Sequence, residues 1–189
     1  MKKDILNFAP TAFALLLAGL FISGCGGPSE EKNSLIKAAT NGNIAEVQKL
    51  IKKGVDVNVK NSDGITSLMI AAANGQQEIV SMLLQAEANP DLQTNKGVTA
   101  LIVAAQNGHK DVVSMLLSAQ ANLNLQSNNG DTALILAAVK GHKEIVSVLL
   151  QAKANPDLQN DKGGTALILA VVKGHKEIVS VLLQAKANP

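Results

Sequence analysis

Aromatic side chains are almost absent from this sequence: it has three Phe and neither Trp nor Tyr. All three, Phe8, Phe13 and Phe21, fall within the first 25 residues, so everything after Cys25 is free of aromatics. Arginine is missing as well, and every basic residue is a lysine. These absences exclude specific chemistries. Single-stranded nucleic acid has no stacking platform. The residues that dominate tight interfaces, Trp, Tyr and Arg, are not available, so a partner must be held by many small contacts. A lone cysteine, Cys25, rules out an internal disulfide and a Cys-rich zinc cluster. A net charge of +2 from interspersed charges gives no basic face for a nucleic acid backbone. What is plentiful is aliphatic: 47% of the chain is hydrophobic, ample for a packed core.

The first 24 residues read as an address. Lys2 and Lys3 open a basic start, and an apolar run of 12 residues follows from Thr11 to Ile22. That run is too short to span a bilayer as a helix, which takes about 20 residues, and it suits the apolar region of a secretory signal. Asp4 works slightly against this, but the lysines outweigh it. Ile22-Ser23-Gly24-Cys25 resembles the bacterial lipobox, and that resemblance implies cleavage before Cys25 and lipidation of the new terminus. The alternative is a plain signal peptide in which Cys25 is incidental. An exported chain with one unpaired thiol is unusual, and lipidation removes the anomaly. Acyl chains contribute about 0.8 kcal/mol per buried CH₂, which would make the anchor permanent. Residues 25–32 form a short tether, and Ser29-Glu30-Glu31 suits a helix start. The protein is therefore expected in the bacterial envelope, periplasm-facing or at the surface. Gly26, in place of the Asp that retains enteric lipoproteins at the inner membrane, points toward the outer one.

From residue 33 to 189 the sequence repeats itself. Thr66, Thr99, Thr132 and Thr165 are spaced by 33, as are Gly75, Gly108, Gly141 and Gly174. The pairs Leu83-Leu84, Leu116-Leu117, Leu149-Leu150 and Leu182-Leu183 keep the same period. A degenerate first copy over Ser34–Asn58 retains Ala38-Ala39, Gly42 and Leu50-Ile51. The units run 33–61, 62–94, 95–127, 128–160 and 161–189. Each begins with a polar turn such as Asn61-Ser62-Asp63-Gly64 and then Thr66, a good N-cap. An Ala-rich helix follows, Gly75 breaks it, and a second amphipathic helix covers Glu78–Ala86. Neither helix can bury its apolar stripe alone, so the copies must stack.

The recurring G-x-T-A-L, A-A-x-x-G-H and V-S-x-L-L columns resemble the ankyrin repeat over essentially all of the chain after the address. That resemblance implies an all-α repeat solenoid, an ankyrin-type stack of helix-turn-helix units with projecting β-hairpin loops. It implies a non-catalytic protein-binding role without a cofactor. Two departures stand out. The family's T-P-L-H becomes Thr66-Ser67-Leu68-Met69 and three Thr-Ala-Leu-Ile copies, so Met69, Ile102, Ile135 and Ile168 can only pack, and less rigid loops are expected. The glycine after the second helix survives as Gly54 but becomes Glu87, Gln120, Lys153 and Lys186. If that position is left-handed, each replacement costs roughly 1 kcal/mol.

The remaining chemistry is sparse. His109, His142 and His175 form a column, but stacked helices lie about 8–10 Å apart, while zinc needs its ligand atoms about 2 Å away. They read as turn histidines. Glu78, Asp111, Glu144 and Glu177 favour the dipole of the second helix and do not pair. No catalytic triad, phosphate loop or metal cluster stands out, so no enzyme activity and no small-molecule substrate is expected. By the family resemblance a protein partner contacts the hairpin tips and the inner helices. Those positions are Asp63, Ile65, Asn74, Lys96, Val98, Asn107, Asn129, Asp131, Lys140, Lys162 and Lys173, with the amides Asn95 and Asn128. The alternative is that such residues are simply solvated turns. The terminal copy poses its own question. Asp131–Pro156 and Gly164–Pro189 differ only at Asp131/Gly164 and Ala138/Val171, so the last copy keeps Ile178, Val179, Val181 and Leu182 where a polar cap is the rule. Either this end docks on something, giving a structural module that self-associates, or a further segment covers it.

Overall fold

A computed structural model describes residues 29–185, in which ten helices form five pairs. They are α1 (Ser29–Thr40), α2 (Ile44–Lys52), α3 (Ser67–Ala73), α4 (Gln77–Gln85) and α5 (Ala100–Asn107). The series continues with α6 (Lys110–Ser118), α7 (Ala133–Lys140), α8 (Lys143–Gln151), α9 (Ala166–Lys173) and α10 (Lys176–Gln184). Odd-numbered helices stack on one another in chain order to form an inner layer. Even-numbered helices do the same in an outer layer, and each pair bridges the two. Helix α1 already starts inside the stretch read as tether. No strand occurs among the described residues, and the loops project as tight turns.

The repeat's punctuation explains each inner helix. Thr66, Thr99, Thr132 and Thr165 accept hydrogen bonds from the backbone N–H groups of Met69, Ile102, Ile135 and Ile168 at 3.1–3.3 Å. These threonines are at most 4% exposed, so no water could replace the cap. Met69 does more than pack: its sulfur accepts the Thr66 N–H at 3.4 Å, which completes a reciprocal cap that the isoleucines cannot make. The inner helices end at Gly75, Gly108, Gly141 and Gly174, whose φ values of 67° to 82° are left-handed. Between cap and glycine, Ala71, Ala72, Ala104, Ala105, Ala137 and Ala138 have no exposed surface, and their small size lets consecutive backbones approach.

The outer helices end in a recurring motif. The N–H of Ala154 reaches the Leu149 carbonyl and that of Lys153 reaches the Leu150 carbonyl, both at 2.9 Å, the paired bonds of a Schellman ending. The same pairs recur at Gly54, Glu87 and Gln120. The position is left-handed in the four copies described, with φ of 77° at Gly54, 62° at Glu87, 59° at Gln120 and 67° at Lys153; Lys186 lies outside the described residues.

The two ends of the stack differ. In the first pair, Lys37, Glu46 and Lys49 occupy the register positions of Ile70, Ile79 and Met82, giving that end a charged face crossed by a Lys49–Glu46 ion pair at 3.0 Å. The last pair has no such dressing. Ile178 and Leu182 are buried and Val179 and Val181 half-buried, so these residues pack inward rather than forming the open face. That face is made instead by Ile168, Val171, Val172 and Leu183, which are 39–59% exposed.

Candidate protein-binding surface

The projecting turns are built from a polar column that sequence reading passed over. Asn61, Thr94, Ser127 and Asn160 each accept two backbone N–H groups across their own turn with one side-chain oxygen. Asn61 takes Asp63 and Ile65; Thr94 takes Lys96 and Val98. Ser127 takes Asn129 and Asp131; Asn160 takes Lys162 and Gly164. The turns are therefore held from within, and the missing family histidine does not leave them unbraced. The residue types differ between copies, which hid the column, but all four carry an oxygen at the right reach.

Neighbouring turns are also tied together. The N–H groups of Asn95, Asn128 and Asp161 bond the carbonyls of Asp63, Lys96 and Asn129 at 2.9–3.0 Å. The side-chain amides of Asn95 and Asn128 donate to the carbonyls of Ser62 and Asn95 at 2.8 and 3.0 Å. Asn95 and Asn128 thus act as struts rather than free contact groups. A second line of struts runs beneath them: Gln93 donates to the carbonyls of Gly97 and Gln126, and Gln126 to those of Gly130 and Gln159, at 2.7–3.0 Å. The signal for this line was present as Gln at 93, 126 and 159.

The candidate contact residues sort into three columns of the repeat. Asp63, Lys96, Asn129 and Lys162 occupy one position at the turn tips, where all but the half-buried Asp63 are exposed. Asn74, Asn107, Lys140 and Lys173 occupy another at the ends of the inner helices, and all but the half-buried Lys140 are exposed. Asn107 spends its amide on the Ala73 carbonyl at 2.8 Å. The third column turns away from solvent. Ile65 is 8% exposed and packs in the core, so it leaves the contact set, and Val98 is half-buried against the same core. Asp131 sits at that position in the fourth pair. Burial pushes its carboxyl above the ordinary aspartate range, with Asp161 adding to the rise and the Asn160 amide, donating at 3.0 Å, opposing it.

The histidine column works between repeats. His109, His142 and His175 place Nε2 at 2.9–3.2 Å from the carbonyls of Ala73, Gln106 and Val139, each at the end of the preceding inner helix. Each ring lies over the glycine that follows. A Cβ added to Gly75, Gly108 or Gly141 would come within 2.8 Å of ring atoms of the next repeat's histidine. Those glycines therefore serve both the left-handed turn and the close approach of a ring. Cys25 lies outside the described residues. No helix among the described residues is long and apolar enough to cross a membrane.

Two aligned rows of solvent-facing side chains on a stack of helix pairs define a repeat-type recognition scaffold. The family model for ankyrin repeats, three copies long, matches residues 35–127 and again 119–189, and the chain belongs to that family. Ankyrin repeats mediate protein–protein interactions. No curated protein matches the sequence.

Proposed function

We propose that the chain is a lipid-anchored ankyrin scaffold of the bacterial envelope that recruits a protein partner along its turn tips and inner helices. One observation carries the binding part. Every middle repeat presents one tip residue and one inner-helix residue at the same register, from a backbone already fixed by its own side-chain bonds. Such a pre-organised edge loses little freedom on binding. Lys140, Lys162 and Lys173 make its C-terminal half basic, so the partner segment there should carry carboxylates. The anchor rests on the lipobox-like run ending at Cys25, and the outer-membrane placement on Gly26.

Capture of partners by the full chain tests the scaffold, with Lys140→Glu and Asn129→Ala as variants. A specific protein retained by the wild type and lost with the variants supports it; capture that ignores both variants sinks it. Cys25→Ala should move the protein from the membrane to the soluble fraction, and retention at the membrane would overturn the anchor.

A further inference from the structure

The two ends of the stack are chemically unlike, and the difference points to a contact between copies. We propose that the terminal face formed by α9 and α10 is a self-association surface that pairs with the same face of a second copy about a two-fold axis.

The face is apolar where an exposed end should be polar. Val171, Val172 and Leu183 are 59%, 56% and 54% exposed and Ile168 is 39% exposed. One repeat earlier, the equivalent Ile135 and Ala138 are 1% and 0% exposed because α9 covers them. The occupant is narrowed by two further observations. First, the other end of a second copy does not fit. That end carries Lys37, Glu46 and Lys49 where the interior faces carry aliphatic side chains, so head-to-tail stacking would bury charge against Val171 and Val172. Second, Val171 disfavours one more regular repeat in register. The same position is Ala39, Ala72, Ala105 and Ala138 in the other copies, each with no exposed surface. Adding two methyl groups to a fully packed site costs about 1–3 kcal/mol. The one substitution within the terminal helices therefore enlarges the apolar surface and spoils the standard repeat contact.

Pairing the face with itself meets neither objection. It brings aliphatic side chains onto aliphatic side chains and leaves no buried charge. The exposed charges beside it, Lys173, Lys176 and Glu177, are of both signs and do not set the face against its own copy. A symmetric pair also closes, so it stops at two chains and does not build a filament. At these exposures the four side chains offer on the order of 300 Å² of apolar surface, comparable to the largest apolar patch of an ordinary monomer, which is often functional. Two such faces with their rims fall in the small class of interface, under about 1,200 Å², so the dimer is weak and reversible.

The test is light scattering on the full chain in a non-ionic detergent over a concentration series. The wild type should pass from monomer to dimer. Val171→Lys and Val172→Lys should each raise the midpoint concentration by about tenfold or more. Their circular dichroism should stay unchanged, because both side chains are already more than half exposed. Ser62→Lys, the same added charge on the first turn, should leave the midpoint where it was. In a Cys25→Ala background, a short bismaleimide should join Val172→Cys chains into a species of twice the chain mass and should not join Ser62→Cys chains. A monomer throughout, species larger than a dimer, or equal shifts from Ser62→Lys and Val171→Lys would each overturn the proposal. The partner-capture experiment with Lys140→Glu reads a different surface, so the two can fail independently.

Discussion

Replacing Lys153 by glycine should stabilise the array, and the structure supplies both the size of the effect and its control. Lys153 holds φ at 67° because it is the second residue after α8, where its N–H caps the Leu150 carbonyl. A side chain in that left-handed well costs about 1–2 kcal/mol, through the approach of Cβ to the following carbonyl oxygen. Glycine removes that cost but brings extra freedom to the unfolded chain, worth about 0.4–1 kcal/mol in the other direction. The net gain is about 0.5–1 kcal/mol, or a rise in Tm of about 1–4 °C for a domain of this size. Lys153 is exposed and forms no ion pair among the described residues, so little else changes. Glu87→Gly and Gln120→Gly repeat the experiment in separate repeats, and the triple variant should approach the sum. Gly54→Ala is the control: φ is 77° and an added Cβ meets nothing within 4 Å, so only the backbone cost appears. It should lower stability by a similar amount. Thermal melts followed by circular dichroism read all of these. A lower Tm for Lys153→Gly, or no loss for Gly54→Ala, would refute the left-handed cost as the controlling term.

Two further predictions concern contacts between repeats. Gly108→Ala and Gly174→Ala face nearly the same φ, 82° and 76°, but an added Cβ at 108 would lie 2.8 Å from Cε1 of His142 while one at 174 meets nothing within 4 Å. Urea titration should show the first variant less stable by about 1–3 kcal/mol more than the second, and equal losses would remove the histidine from the account. Asp131→Asn keeps an oxygen for the Asn160 amide and removes a carboxylate that is costly to bury. The folded pKa is raised, so the wild type has this stability in full below the unfolded value, about 3.9, and loses it as pH rises through the folded one. The variant should therefore match the wild type in acid and exceed it at neutral pH; a variant less stable at neutral pH would show that the charge itself is needed.

Much of the architecture was legible because it is written at a strict period. Threonine caps, helix-ending glycines and leucine pairs identify their own roles, and each falls where its chemistry requires. The three sites where reading failed share one cause, which is that the meaning of a residue lay in the neighbouring copy. Ile65 looks like a tip residue until the core beneath it is seen. Asn95 and Asn128 look free until the carbonyls of the preceding turn are placed beside them. Ile178 and Leu182 look like the open end, yet helices have two sides, and only the stack shows that Ile168, Val171, Val172 and Leu183 are on the far one. The turn-bracing column at 61, 94, 127 and 160 escaped for another reason: Asn, Thr and Ser share an acceptor oxygen but no letter.

The histidine that reaches back over the preceding glycine gives the last three junctions one chemistry, independent of which copies they join; at the first, Gln76 takes its place against Gly42. The junctions at His109, His142 and His175 use the same ring, the same type of carbonyl and the same glycine. The third or fourth unit can therefore be duplicated or deleted and the new seam is chemically an old one. The terminal units have no such freedom: the charged opening pair cannot be moved inward, and Val171 would not fit there either. Units of this kind are interchangeable parts, and the first and last described pairs are not.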